Sequence, residues 1–170
     1  YTSGTTGVPR GVMGSHANFT SNIEALDKVI DFNDRDTALS FLPLSHVLER
    51  TGTFFLLAKG ASIAYAERVE TVPENICEIR PTIVIGVPRF FEKIYARVMD
   101  NVLSSSALKR KLFFWAVKVG RTWANRTVNG QAVPRRLAAA RALASRLVYA
   151  KVVARTGGRV RFFICGGAPL

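Results

Sequence analysis

Cysteine is nearly absent: Cys77 and Cys165 are the only two in 170 residues. Two thiols cannot build a disulfide framework, and neither stands at a metal-ligand spacing, so a reduced, cytosolic compartment is the default. No apolar run reaches the roughly 20 residues that a membrane-spanning helix needs. The longest, Thr53–Ala58 and Thr82–Val87, have the length of core elements. Nothing at the start has the form of a signal peptide. The chain opens at Tyr1 without Met and stops at Leu170, each time inside a Gly-rich segment, and both ends are expected to be truncations. Carboxylates are missing from the last third. No Asp or Glu follows Asp100, while Lys109 to Arg161 supplies 14 cations toward a net charge of +12. Such a surface suits an anionic partner, whether a membrane face, nucleic acid or a phosphorylated cofactor. It equally suits a solvated helix face whose partner charges lie elsewhere. What is plentiful is apolar: 48 % of residues are hydrophobic, enough for one compact core and too much for a disordered chain.

Gly4 to Gly11 reads as a loop rich in Gly, Thr and Pro. A helix follows from about Ser15, capped by Ser15 or Asn18, with Ile23, Leu26 and Ile30 at near-helical spacing. Ala38–Leu42 is a short buried strand ended by Pro43. Val47 to Leu57 is a helix stopped by Gly60, and Ser62–Tyr65 a strand. Thr71 caps a short helix with Pro73 in its first turn. Thr82–Val87, β-branched and nearly continuous, predicts a strand buried on both faces. Pro88 opens a helix; two more are expected over Ala107–Ala124 and Arg135–Ala154, the second ended by Gly157-Gly158. Val160–Cys165 is the last strand. Asn129-Gly130 marks a turn, and no internal repeat is present. Strands alternating with helices predict an α/β fold with a mostly parallel sheet and flanking helices, whose ligands sit beyond the carboxyl ends of the strands.

Four segments carry chemistry. In Tyr1-Thr2-Ser3-Gly4-Thr5-Thr6-Gly7-Val8-Pro9-Arg10-Gly11, small hydroxyl side chains alternate with glycines and a cation follows. Glycines let backbone N–H groups approach phosphate oxygens, hydroxyls add donors and Mg2+ ligands, and the cation offsets charge. The Gly-Lys-Ser/Thr ending of a Walker A loop is missing. The second segment is Leu42-Pro43-Leu44-Ser45-His46-Val47-Leu48-Glu49-Arg50, in which Glu49 and Arg50 also read as an ion pair at a helix start. The third is Pro81 to Tyr95, a buried strand feeding a helix that carries Phe90 and Phe91. In the fourth, Arg161 to Leu170, a strand runs into Gly166-Gly167-Ala168-Pro169, a backbone against which a flat ring can stack.

The first segment resembles the phosphate-binding motif of the adenylate-forming (AMP-binding) superfamily, with Arg10 where the usual pattern has Lys. Arg keeps the charge and adds a bidentate fork. The second resembles the motif in which a His sits beside the acyl-adenylate, and its Glu49-Arg50 continuation is similar to the long-chain fatty acyl-CoA synthetase branch. The third resembles the wall of that branch's acyl tunnel, with Gly86 leaving room and Phe90 and Phe91 as lining. The fourth resembles the superfamily's adenine loop. The resemblance runs from end to end, least specifically over Val102–Ala154.

This resemblance implies an internal fragment of the large N-terminal domain of an adenylate-forming enzyme. Residues 1–170 would be a partial AMP-binding domain truncated at both ends, with a helical insertion over about 102–156. The implied reaction has two halves. ATP and a long-chain fatty acid give acyl-adenylate and pyrophosphate; coenzyme A then displaces AMP, and the fragment alone is expected to be inactive. Thr2, Ser3, Gly4, Thr5, Thr6, Gly7 and Arg10 would hold the phosphates, Thr5 and Thr6 also Mg2+. His46 would be the catalytic-site residue shaping the acyl and adenylate pocket, and Gly166, Gly167, Ala168 and Pro169 would contact adenine. Other readings stay open: a fatty acyl-AMP ligase, a luciferase-like oxidase, a catalytically degraded relative, or a non-enzymatic binding module. Nucleic acid is not an expected partner, because few aromatics interleave with the cations and no nucleic-acid motif is present. The basic stretch with Leu112, Phe113, Phe114, Trp115, Val119 and Trp123 leaves two readings open for a cytoplasmic protein: peripheral attachment to the cytosolic face of a membrane, or aromatics that are core beneath cations that keep the surface soluble.

Overall fold

The structure, a computed structural model, describes residues 11–168. These fall into two compact units, one up to Pro88 and again from Thr156, the other Arg89–Arg155. The first unit is built on four parallel strands: β1 (Thr37–Ser40), β2 (Ser62–Tyr65), β3 (Ile83–Gly86) and β4 (Phe162–Cys165). They lie in the order β2-β1-β3-β4. Ala38 pairs with both Ile63 and Ile83, and Val84 with Phe163. All four residues of β3 are buried, as a β-branched run at the centre of a two-sided parallel sheet requires.

Three helices belong to this unit: α1 (His16–Asp27), α2 (Val47–Ala58) and α3 (Val72–Ile79). Both expected caps of α1 are used. The Ser15 hydroxyl accepts the Asn18 N–H at 3.3 Å, and the Asn18 side chain accepts the Ser15 N–H at 2.9 Å. Ala38, Ile83 and Ile85 point to one face and pack with Phe32, Phe55, Leu56 and Ala61, with Ile23, Leu26 and Ile30 lying against them. Residues of opposite parity, Leu39 and Val84, are buried on the other face, where α3 buries Val72 and Ile76. Thr71 is the N-cap residue of α3, as expected, but its side chain makes no capping bond. It already has helical backbone, and its hydroxyl donates to the Arg68 carbonyl at 2.9 Å instead of accepting a helix N–H. The first strand also ends earlier than its apolar run, at Ser40, before the bend toward Pro43.

The second unit is helical, with α4 (Pro88–Leu103) leading into it, then α5 (Ala107–Val128), α6 (Arg135–Ala144) and α7 (Ala150–Ala154). Residues Ser145–Tyr149, inside the stretch expected as one uninterrupted helix, form a π turn. The Tyr149 hydroxyl donates to the Ala116 carbonyl at 2.6 Å, and only a glycine at 120 leaves room for it: a Cβ there would lie 2.9 Å from Tyr149 Oη. Ala116, Val119 and Ala144 are the buried centre, flanked by Trp115, Leu137 and Val148. Trp123 is covered by the Arg141 guanidinium at 4.4 Å. The two tryptophans assigned to a membrane-facing side are thus engaged inside the helical unit. Of that aromatic set, Phe114 is exposed, and no helix among the described residues is long and apolar enough to cross a membrane.

Candidate functional site

A parallel sheet offers ligands a crevice where neighbouring strands send their connections in opposite directions. Here β1 leads through α2 to β2 on one side, and β3 leads onward to β4 on the other. The crevice therefore opens at the carboxyl ends of β1 and β3. The loop after β1 carries His46, and the residue after β3 is Val87. The loop after β4 brings Gly167 to the same place: a Cβ on Gly167 would lie 3.7 Å from both His46 Cε1 and Val87 Cγ1. Its φ of +84° is one that residues other than glycine rarely adopt, which explains the glycine. One residue earlier, a Cβ on Gly166 would meet Leu48 Cδ1 at 3.2 Å. Gly166, Gly167 and Ala168 lie in the described loop, whereas Pro169 falls outside the described residues. The backbone at Gly167 is thus bare beside the imidazole, with no side chain of the described residues between the glycine loop and His46.

His46 is held from below. It is the N-cap of α2, and its Nδ1 accepts the Leu48 N–H at 3.2 Å. An accepting Nδ1 places the proton of the neutral ring on Nε2, so the exposed nitrogen is a donor. One turn further, Glu49 turns into the protein. It is only 3 % exposed; Oε1 accepts a short hydrogen bond from the Ser40 hydroxyl, and Oε2 has no partner among the described residues. Burial pushes the Glu49 carboxyl above its ordinary range, against the opposing pull of Ser40 and of the nearby His46. Arg50 turns outward, and its Nε donates to the Leu44 carbonyl at 3.2 Å. The Glu49–Arg50 ion pair read from adjacency is not formed. Successive helical residues diverge by about 100°, and here that sends the carboxylate to the core and the guanidinium to the surface.

Beneath the crevice lies an apolar slot of about 80 Å3, lined among others by Leu26, Leu48, Gly52, Ile85 and Ile164. Gly52 lets α2 sit close to β3, since a Cβ there would come within 2.7 Å of Ile85 Cδ1. Leu48 forms a wall shared by the slot and the glycine loop. Ser40, Leu48, Gly52 and Val87 were not singled out by sequence. A glycine inside an apolar helix was the one available signal, since it marks close approach. Gly86 is buried at the end of β3, and Phe90 and Phe91 stack edge to face at 5.4 Å within the helical unit. Thr2, Ser3, Gly4, Thr5, Thr6, Gly7 and Arg10 lie outside the described residues. Among the described residues no group of three His, Cys, Asp or Glu is placed to hold a metal ion.

A family model described as AMP-binding enzyme matches residues 1–170. Long chain acyl-CoA synthetase 6, peroxisomal, of Arabidopsis thaliana is 33 % identical over 171 residues, which is 100 % of this chain and 23 % of that protein. The Homo sapiens long-chain-fatty-acid–CoA ligase ACSBG2 is 35 % identical over 176 residues, again 100 % of this chain, and 26 % of the relative. The chain thus spans about a quarter of the length of these relatives. Among solved structures, the inhibitor-bound N-terminal domain of FACL13 from Mycobacterium tuberculosis matches at 33 % identity with a TM-score of 0.48, over 54 % of this chain and 24 % of that one.

Proposed function

We propose, from the premise that this chain belongs to the AMP-binding enzyme family, that it carries the nucleotide and acyl sites of an ATP-dependent long-chain fatty acyl-CoA synthetase. The observation that carries the reading is the approach of His46 to Gly167 at the crevice, directly above an apolar slot. A nucleotide base lies on the Gly166–Gly167 backbone, extending over Ala168 and Pro169. The fatty acid's carboxylate meets the α-phosphate beside His46, whose Nε2–H donates to an oxygen there, and the first methylenes enter the slot past Leu48. Thr2 to Gly7 and Arg10 hold the phosphates, and Thr5 and Thr6 would hold Mg2+, which would supply charge neutralisation there. Little protein nucleophilicity is needed, because holding carboxylate and phosphate in line and offsetting their charge carries the chemistry. Coenzyme A then displaces AMP to give the thioester.

The test is ATP–pyrophosphate exchange by the full-length protein, with and without palmitate, followed by thioester formation with coenzyme A. Exchange that depends on the fatty acid, with palmitoyl-CoA formed, is the expected result. Adenylate without thioester points to a fatty acyl-AMP ligase, and no exchange with any fatty acid overturns the reading.

A further inference from the structure

Arg50 is an anchored cation without a carboxylate partner among the described residues. Its Nε is tied to the Leu44 carbonyl at 3.2 Å, which fixes the guanidinium. None of the ion pairs among the described residues includes it. Glu49, its neighbour in sequence, is turned into the core against Ser40. The side chain is exposed and lines a cavity of about 340 Å3 together with Gly11, Val12, Met13 and Ser45. That volume is at the lower end for small-molecule sites. Ser45, also exposed, adds a hydroxyl with no partner among the described residues. A permanently charged fork and a free hydroxyl on one cavity are the donors an oxyanion needs. The first turn of α2, in which Arg50 stands, contributes partial charge of the same sign.

Gly11, which also lines the cavity, is one peptide bond from Arg10 and is the last residue of the Gly- and Thr-rich segment. His46, adjacent to Ser45, faces Gly167. The cavity therefore lies between the last residue of the phosphate segment, with the two that follow it, and Ser45, the neighbour in sequence of the residue that borders the glycine loop. We propose that Arg50 and Ser45 form a further anion contact for the polyphosphate end of the nucleotide, and that this contact holds pyrophosphate. The inference rests on the function proposed above and adds two binding residues to it. Coenzyme A also brings phosphates, so the test must separate the two sources.

The experiment is calorimetric titration of the full-length protein with Mg2+ and, in turn, inorganic pyrophosphate, AMP and adenosine 3′,5′-bisphosphate, the phosphorylated end of coenzyme A. Arg50→Gln is expected to weaken pyrophosphate binding about tenfold, the scale of one lost charge-assisted contact, and to leave AMP within about twofold. Arg50→Lys should recover part of the loss, and Ser45→Ala should show a smaller loss of the same selectivity. A pyrophosphate affinity indifferent to Arg50→Gln overturns the inference. So does an equal loss for AMP and pyrophosphate, which is the signature of a distorted fold, or a loss confined to the bisphosphate. A wild-type protein that binds AMP while pyrophosphate ignores Arg50 defeats only this inference. One that binds neither defeats the proposed function as well.

Discussion

The two ends of the sheet each bury one carboxylate, and the two are built in opposite ways. At the amino ends of β1, β3 and β4, Asp36 is 1 % exposed and both of its oxygens are satisfied. Thr82 donates to Oδ1 at 2.6 Å, the Asn33 N–H to Oδ2 at 3.1 Å, and Arg161 Nη1 reaches both at 2.9 and 3.0 Å. At the carboxyl end, Glu49 has one oxygen on Ser40 and the other unpaired. Burial raises both carboxyls. For Asp36 it is outweighed by Thr82, Asn33 and Arg161, so the group stays below its ordinary value; for Glu49 it wins. Both carboxylates are closed to solvent, yet they shift in opposite directions: Asp36 is met by donors on both oxygens, whereas Glu49 carries the heavier desolvation and has one donor, Ser40. The satisfied end ties three strands together. The unsatisfied end, with its exposed imidazole and bare glycines, is the one left for a ligand.

Breaking the satisfied end has the largest effect. Asp36→Ala takes away the nearer acceptor of the Thr82 hydroxyl, leaving the Thr37 carbonyl at 3.3 Å, and the nearest carboxylate of Arg161, leaving the Asp31 carbonyl at 3.2 Å and the Asp31 carboxylate at 3.8 Å. A loss of about 3 kcal/mol is expected in denaturant unfolding of the full-length protein. Nucleotide binding by the fraction that remains folded should be unchanged, because the cluster lies at the far end of the strands. A change in nucleotide affinity with no change in stability would reverse the roles of the two ends.

That cluster was the least legible part of the fold. Asp36, Thr82 and Arg161 are separated by 46 and 125 residues in pairs with Asp36, so no local spacing announces them. Elements whose signals are local were readable: β2 runs over the expected Ser62–Tyr65, and β3 occupies the β-branched run before Pro88. The glycine loop and His46 were readable from motif resemblance, but their meeting needed the crossover of β3 past β1. Glu49 and Arg50 misled because adjacency in sequence is divergence on a helix. The π turn at Ser145–Tyr149 was hidden because its cause, the fit of Tyr149 against Ala116 and Gly120, lies across the helical hairpin.

The pH response should show the same opposition. Asp36 titrates lower in the folded protein than in the unfolded chain, so its contribution is present above pH 3.8 and is lost as pH falls through the folded value. Glu49 titrates higher when folded. Its contribution is complete below pH 4.5 and is lost as pH rises through the folded value. Stability curves of the full-length protein against pH should therefore lose, in Glu49→Gln, the decline that begins above pH 4.5. An unchanged decline in that variant would show that Glu49 does not carry it.

A smaller cost in stability should accompany a larger cost in function at Gly167. Gly167→Ala strains a φ of +84°, at about 1 kcal/mol, and places a methyl between His46 and Val87. Gly158 has a similar φ of +77° with nothing within 4 Å of its Cβ position. Gly158→Ala should thus match Gly167→Ala in stability to within a few tenths of a kcal/mol. Only the Gly167 variant should weaken ATP binding, by about tenfold or more, equivalent to ~1.4 kcal/mol. Equal ATP affinities in the two variants would remove Gly167 from the site.

The smallest stability effect belongs to His46, and there the separation of function from folding is sharpest. His46 serves α2 only as an N-cap, through Nδ1 and the Leu48 N–H. Asn is among the preferred residues at that position and can accept the same N–H. His46→Asn therefore keeps the cap, and the unfolding free energy should stay within about 0.5 kcal/mol of the parent. What it removes is the ring that faces Gly167 and its outward Nε2–H. If that ring borders the acyl-adenylate, palmitate-dependent ATP–pyrophosphate exchange should fall by about tenfold or more, equivalent to ~1.4 kcal/mol of lost transition-state stabilisation. His46→Gln provides a second variant with a longer side-chain amide and a weaker cap; it should lose more stability than His46→Asn and no less activity. Exchange that tracks stability across the two variants would make His46 a capping residue and nothing more. Exchange lost in both, with the cap intact in one, assigns the imidazole to the chemistry at the open end of the sheet.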